Sequence, residues 1–306
     1  MNRAARRRPR ARLDGRPSTF DYSRVTVTFE SGGDACTGWL YRPDRPADAP
    51  VVVMAGGLAL PRETLRSLAE RFAEHGYAAF VFDYRGVGDS EGTPRGLLSP
   101  SRGVADWEEA VARVRGLDGV DTGRLVLWGH SLGGAYALSV VADDPRVRGV
   151  VAVAPVLSGG SLLRARPLPA VLRAVVAGVR DRVQSLLPRV GPHTVPVADD
   201  DTDLAVVSDT GFSGAYRRFA SIPDVPARSF LSLARYSAPV DEVTCPALFV
   251  AGSYDDVGDA DAIEAAVADR PDATLLRVPA THLDLLDDAG AVEHALVFLD
   301  GLFDVD

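Results

Sequence analysis

Arg124-Leu125-Val126-Leu127-Trp128-Gly129-His130-Ser131-Leu132-Gly133-Gly134-Ala135 reads as a strand, a sharp turn and a helix, with a serine at the turn. Leu125 to Trp128 is a short apolar run bounded by Gly123 and Gly129, the pattern of a strand buried on both faces. Ala135, Ala137 and Leu138 are strong helix formers that follow directly. Gly129 and Gly133 remove the Cβ atoms that would collide in a tight bend, so Ser131 is expected in strained geometry with its hydroxyl exposed above a sheet. A helix starting there aims its first N–H groups, that of Leu132 among them, at the place where a substrate carbonyl would gain negative charge. Gly-x-Ser-x-Gly alone proves little; the flanking strand and helix, with an acid and a base later in the chain, make Ser131 a candidate nucleophile.

Outward from this stretch, Val25 to Phe29 and Thr37 to Tyr41 alternate around Ser31-Gly32-Gly33-Asp34 and predict an antiparallel hairpin. Val51 to Met54 and Ala78 to Phe82 predict buried strands around a helix over Arg62 to His75, which makes a βαβ unit. Trp107 to Val114 predicts a helix and Val147 to Val153 a further strand. From residue 155 to residue 243 the pattern changes. Helical stretches over Leu162 to Leu187 are broken by Pro167 and Pro169, a polar segment carries Asp199-Asp200-Asp201, and Ala227 to Tyr236 returns to helix. These residues are expected to form a helical cap inserted into a core made of 21–154 and 244–306. Alternation resumes with strands at Ala247 to Ala251 and Thr274 to Val278, and helices at Ala260 to Ala268 and Ala289 to Phe303.

Composition excludes several classes. A chain of 306 residues that is 46% apolar can bury a full core. No apolar run reaches the roughly 18 residues that cross a bilayer, so no membrane partner is expected. Residues 1–20 hold Arg3, Arg6, Arg7, Arg8, Arg10 and Arg12 with no apolar stretch behind them, which predicts a disordered basic tail, neither a secretion signal nor a nucleic-acid site. The chain has no lysine, and its formal charge of −9 comes from 42 acids, mostly aspartate, against 33 arginines. Such a surface is expected of proteins from high-salt, GC-rich organisms. Cys36 and Cys245 stand far apart, which predicts free thiols in a cytoplasmic protein. No His/Cys cluster has ligand spacing, so neither metal nor cofactor is expected.

Three further stretches give the pattern a name. Val53-Met54-Ala55-Gly56-Gly57-Leu58 resembles the oxyanion loop of the α/β-hydrolase family. Phe82-Asp83-Tyr84-Arg85-Gly86-Val87-Gly88-Asp89-Ser90 is similar to that family's Asp-x-Arg-Gly-x-Gly-x-Ser turn, and Pro246 to Gly252 to its acid-bearing strand. The resemblance runs from Tyr22 to Phe303. The Met-Ala-x-Gly loop, the Trp-Gly-x-Ser elbow and Ala234-Arg235-Tyr236 look like dienelactone-hydrolase-like and polyketide-associated members. The implied fold is α/β, a mostly parallel central sheet with an N-terminal antiparallel hairpin and a helical cap.

The resemblance implies a Ser, Asp, His order. The chemistry asks for the same roles: serine needs an imidazole to take its proton, and the imidazole needs a carboxylate to hold its tautomer. His282, in the loop after the last strand, stands where the family places its base; His130 should point away from Ser131, His75 and His294 fall on surface helices, and His193 lies in the cap. Asp255 matches the family's Gly-x-x-Asp, Asp256 beside it is a rival, and Asp284 reads as a loop-capping carboxylate. The oxyanion donors implied are the N–H groups of Leu58 and Leu132, with Gly56-Gly57 where many relatives have His-Gly. Asp83 and Arg85 read as a salt bridge fixing the neighbouring loop. The expected function is a serine hydrolase of a small-molecule ester or thioester, acting through an acyl-enzyme. An acyltransferase with the same triad, or a binding protein on the same fold, are the rivals.

Overall fold

The computed structural model describes residues 19–303, except 165, 200, 203, 208–209 and 220–223. All but the last two residues of the expected basic tail lie outside the described residues.

The chain opens with the expected hairpin, β1 (Tyr22–Ser31) and β2 (Asp34–Pro43), paired in register around Gly32 and Gly33. β3 (Ala49–Ala55), α1 (Arg66–Glu74) and β4 (Ala78–Phe82) follow as the βαβ unit, with one 3-10 turn at Arg62–Leu65 leading into α1. Next come α2 (Pro100–Val114), β5 (Val120–His130), α3 (Leu132–Asp143) and β6 (Gly149–Val153). α2 starts seven residues before Trp107, because Pro100 suits the first turn of a helix. The chain then leaves the sheet for α4 (Gly159–Arg164), α5 (Leu168–Gln184), β7 (Thr194–Pro196), α6 (Thr210–Phe219), β8 (Asp224–Pro226) and α7 (Ser229–Leu233). It returns through β9 (Ala247–Gly252), α8 (Ala260–Val267), β10 (Ala273–Val278) and α9 (Ala289–Phe303).

Eight strands form one sheet in the order β1-β2-β4-β3-β5-β6-β9-β10. The six strands from β4 to β10 in that order pair parallel, while β2 runs antiparallel to β4 and to β1. β3, β4, β6 and β9 are buried at every position, as their unbroken apolar runs require when helices cover both faces. Edge strand β1 instead buries Val27, Phe29 and Ser31 in alternation.

Two readings of residues 155–243 need correction. The helix expected over Ala227 to Tyr236 shrinks to five residues of α7, and β7 and β8 pair antiparallel in a small ladder of their own. Both β7 and β8 contain proline, which suits a two-stranded edge and masks the strand pattern in sequence. The proline break does hold: Pro167 is the N-cap of α5, and Pro169 lies in its first turn.

Candidate active site

β5 ends at His130 and α3 begins at Leu132, so one residue makes the whole turn. Ser131 sits at φ 59° and ψ −125°, left-handed backbone that a serine adopts only under constraint from its surroundings. The constraints are visible. Its N–H donates to Val153 O at 2.9 Å, and its carbonyl accepts from Ala135 N at 3.2 Å and Val156 N at 3.3 Å. A Cβ on Gly129 would collide with the Gly133 carbonyl, and one on Gly133 with the carbonyls of Ala55 and Gly56. The two glycines therefore let the strand, the helix and the loop after β3 approach to backbone contact.

The Ser131 hydroxyl is not exposed, contrary to the sequence expectation: the residue is 1% accessible. Phe212 and Tyr216 of α6 pack into this region, Phe212 with its ring 5.8 Å from that of His282 and Tyr216 with its hydroxyl on Leu58. Ser131 Oγ is buried without a hydrogen-bond partner, and so is His282 Nε2.

The other ring nitrogen of His282, Nδ1, lies 2.8 Å from Asp255 Oδ2, both side chains almost wholly buried. Asp255 Oδ1 accepts from the N–H groups of Val257 and Gly258, each at 2.8 Å. Burial raises the Asp255 pKa, but the His282 hydrogen bond, its charge and those two N–H groups outweigh burial and leave the carboxyl below its usual range. Asp256 is exposed on the rim and is not the carboxylate on His282. Asp284 accepts from Thr281 Oγ1 at 2.6 Å within the same loop, a local cap.

The loop after β3 closes the other side. Leu58 and Ala59 both take positive φ, 51° and 58°. Gly57 O accepts from Leu60 N at 3.0 Å, which turns the Leu58 N–H to the opposite side of a planar peptide, away from its own turn. Leu58 O accepts from Tyr216 Oη at 2.5 Å, and Gly56 O from Tyr84 Oη at 3.0 Å, itself held by Trp107 Nε1 at 2.8 Å. The paired glycines thus have tyrosines as outside supports. A Cβ at Gly56 would meet only Leu60 at 3.5 Å, whereas one at Gly57 would sit 2.7 Å from Leu132 N and 2.9 Å from Ser131 Cβ. Gly57→Ala is expected to push the loop off the elbow and lower kcat by about 10² to 10³, the worth of one oxyanion donor, with KM changed far less. Steady-state kinetics on one ester check it.

Beside Leu58 and Leu132 opens a pocket walled by Tyr84, Leu98, Arg102 and Tyr136. The expected Asp83–Arg85 salt bridge is absent. Asp83 is bound instead by the guanidinium and backbone N–H of Arg62, and Arg85 pairs with Asp106 at 2.5 Å. Arg62 lies on the turn before α1 and Asp106 on α2, so Asp83 and Arg85 found partners on different elements.

His130 turns to the His282 backbone and not to Ser131. Its Nε2 donates to His282 O at 2.8 Å, and the two rings lie 4.7 Å apart. Burial, helped by the nearby His282, pushes its pKa down to about 3. An unfolded chain takes up this proton near pH 6.5 and the native chain does not, so the unfolded state binds more protons between those values. Stability therefore falls on acidification, from this group by about 1.4 kcal/mol per pH unit at most. Between pH 6.5 and pH 5 the parent is expected to lose about 1.6 kcal/mol more than His130→Asn, read from urea unfolding.

The fold and the buried elbow define an α/β hydrolase. The chain belongs to the family described as serine aminopeptidase, S33, whose model matches residues 46–280. Among its relatives is the quorum-quenching protein AidA of Acinetobacter baumannii, 35% identical over 241 residues, 76% of this chain and 79% of that one. The thiohydrolase apmlB of Arthrinium phaeospermum is 39% identical over 119 residues, only 39% of this chain and 38% of its own. The polyketide transferase grgF of Penicillium sp. is 32% identical over 153 residues, 49% and 51% of the two chains. The crystal structure of the α/β hydrolase GrgF from Penicillium sp. sh18 covers 92% of this chain and all of its own with a TM-score of 0.81 at 21% identity, a likeness of fold.

Sequence reasoning missed Tyr216, Tyr84 and Phe212 around the site. Nothing local marks them, since each is an ordinary aromatic until the tertiary fold brings it to the loop.

Proposed function

We propose that this protein is a serine hydrolase that cleaves a small-molecule ester or thioester through an acyl-enzyme, with Ser131 as nucleophile, His282 as base and Asp255 as the acid that holds it. The observation that carries the reading is that Ser131 Oγ and His282 Nε2 are both buried without a hydrogen-bond partner, the latter on a ring whose far nitrogen lies 2.8 Å from Asp255 Oδ2. In this reading His282 Nε2 takes the hydroxyl proton as Oγ attacks the acyl carbon, and the oxyanion is held by the N–H groups of Leu58 and Leu132. Collapse expels the alcohol or thiol, which leaves with the proton from His282. Water then repeats the steps in reverse order and frees the acid and Ser131.

We further propose that residues 155–243 act as the cap, with α6 closing over the nucleophile. This closure favours a second reading, transfer of the acyl group to an alcohol or amine, because a serine 1% accessible is shielded from bulk water. Supporting both readings are relatives named thiohydrolase and polyketide transferase. No described helix is long and apolar enough to cross a membrane, and the two free thiols fit a cytoplasmic setting.

The test is a panel of acyl esters and thioesters of graded chain length, each run with and without an alcohol or amine acceptor. Release of free acid is expected from at least one thioester, with label from a phosphonate probe on Ser131. Acyl product formed only with the acceptor present selects the transferase. A chain that takes no phosphonate and turns over nothing in the panel is a binding protein on a hydrolase fold.

A further inference from the structure

Helix α5 presents an unusual outer face. Its inner side buries only Ala170, Ala174, Ala177, Gly178 and Asp181. On the opposite side Leu168, Leu172, Val176, Val179 and Val183 are exposed, Leu168 at 70% and Val176 at 67%, and Leu186 beyond the helix end is 73% exposed. At about 100° per residue these side chains fill an arc roughly 80° wide, opposite the buried one. Arg173 and Arg180 border that arc on one side and Arg182 on the other. Soluble surfaces rarely leave so continuous an apolar strip uncovered.

The charge of this region is opposite to that of the chain. Between Pro155 and Ala198 stand Arg164, Arg166, Arg173, Arg180, Arg182 and Arg189 against the single acid Asp181, in a protein of formal charge −9. Asp181 faces inward, where it accepts from His193 N at 2.9 Å, Arg228 N at 3.0 Å and the Arg228 guanidinium at 3.2 Å. Among the described residues of α5, the outer face is thus an apolar strip bordered by arginines.

We propose that α5 lies flat in the interface of an anionic membrane, its Leu and Val side chains among the acyl chains and its arginines reaching up to the headgroups. An apolar strip flanked by arginines is the pattern of an interfacial helix, since arginine can bury its stem and keep its charge in the polar layer. At 1.5 Å per residue, 17 residues reach only about 25 Å, so the helix lies on the bilayer and does not span it. A second copy fits less well, because its α5 would bring the same cationic borders against these. Negative lipid complements them. α5 also packs on α7, and α7 Ser229 Oγ accepts from Leu98 N at 3.1 Å, in the wall of the site pocket. The helix thus sets the pocket one layer from the lipid. The absence of a spanning run led to the expectation of no membrane partner, but a surface helix needs no such run.

The test is sedimentation of the full chain with vesicles of phosphatidylcholine, with and without phosphatidylglycerol. The parent is expected to sediment with the phosphatidylglycerol vesicles and at least tenfold less with phosphatidylcholine alone. The double substitution Val176→Glu and Val183→Glu, both at exposed sites, is expected to reduce that binding at least tenfold with an unchanged melting temperature. Equal sedimentation of parent and double variant would assign lipid binding to the N-terminal arginines and overturn the proposal. A lipid-free dimer that the double substitution splits, with no vesicle binding by either protein, would give this face to a second copy and overturn it as well.

Discussion

Ser131→Ala is expected to lower turnover by roughly 10⁴- to 10⁶-fold, the loss seen when a catalytic serine goes from such a constellation. The fold should survive. Alanine keeps the Cβ, so the backbone strain at φ 59° is the same in both proteins. Ser131 Oγ makes no hydrogen bond, so its removal leaves no partner orphaned. The melting temperature is expected to move by less than about 2 °C, as for a substitution with no packing or bonding cost in a chain of this size. Turnover at the parent's rate, measured on the best ester of the panel, would remove Ser131 as nucleophile. Lost turnover with a collapsed melting curve would show instead a structural role.

Asp255→Asn is expected to cost on the order of 10⁴ in kcat, and Asp256→Asn less than about threefold. The reason lies in how Asp255 is held. Val257 N and Gly258 N both donate to Oδ1, and an asparagine can keep both bonds through its amide oxygen. Its NH₂ group then faces His282 Nδ1, where the carboxylate stood. That forces Nδ1 to accept and places the imidazole proton on Nε2, the nitrogen that must be empty to take the serine proton. Asp256 is exposed on the rim and its charge is screened by water. Kinetics of the two variants on one substrate decide the matter, and the reverse order of losses would move the acid to Asp256.

Much of the architecture was legible because burial on two faces leaves a plain mark. Strands such as Val51–Met54 and Ala78–Phe82 must be apolar throughout, and their bounds fell within a few residues of those found. The elbow was legible for a different reason, since backbone contact between strand, helix and loop tolerates no Cβ at Gly129 or Gly133. The strands Thr194–Pro196 and Asp224–Pro226 were not, because a three-residue ladder with proline carries no period to read.

By itself, then, the sequence determined the sheet, the turn at Ser131 and the order in which the candidate acid and base follow. Those features depend on local volume, on period and on glycine, which neighbouring residues spell out. The tertiary structure alone decided which carboxylate meets His282, that Arg62 and not Arg85 holds Asp83, and that His130 donates to the His282 carbonyl. It also decided that Tyr216, 158 residues from Leu58, donates to that residue's carbonyl in the loop after β3 and that Ser131 is covered. A side chain's partner depends on direction and distance across the whole fold, and both Asp255 and Asp256 offer the same carboxylate until the backbone turns one of them inward.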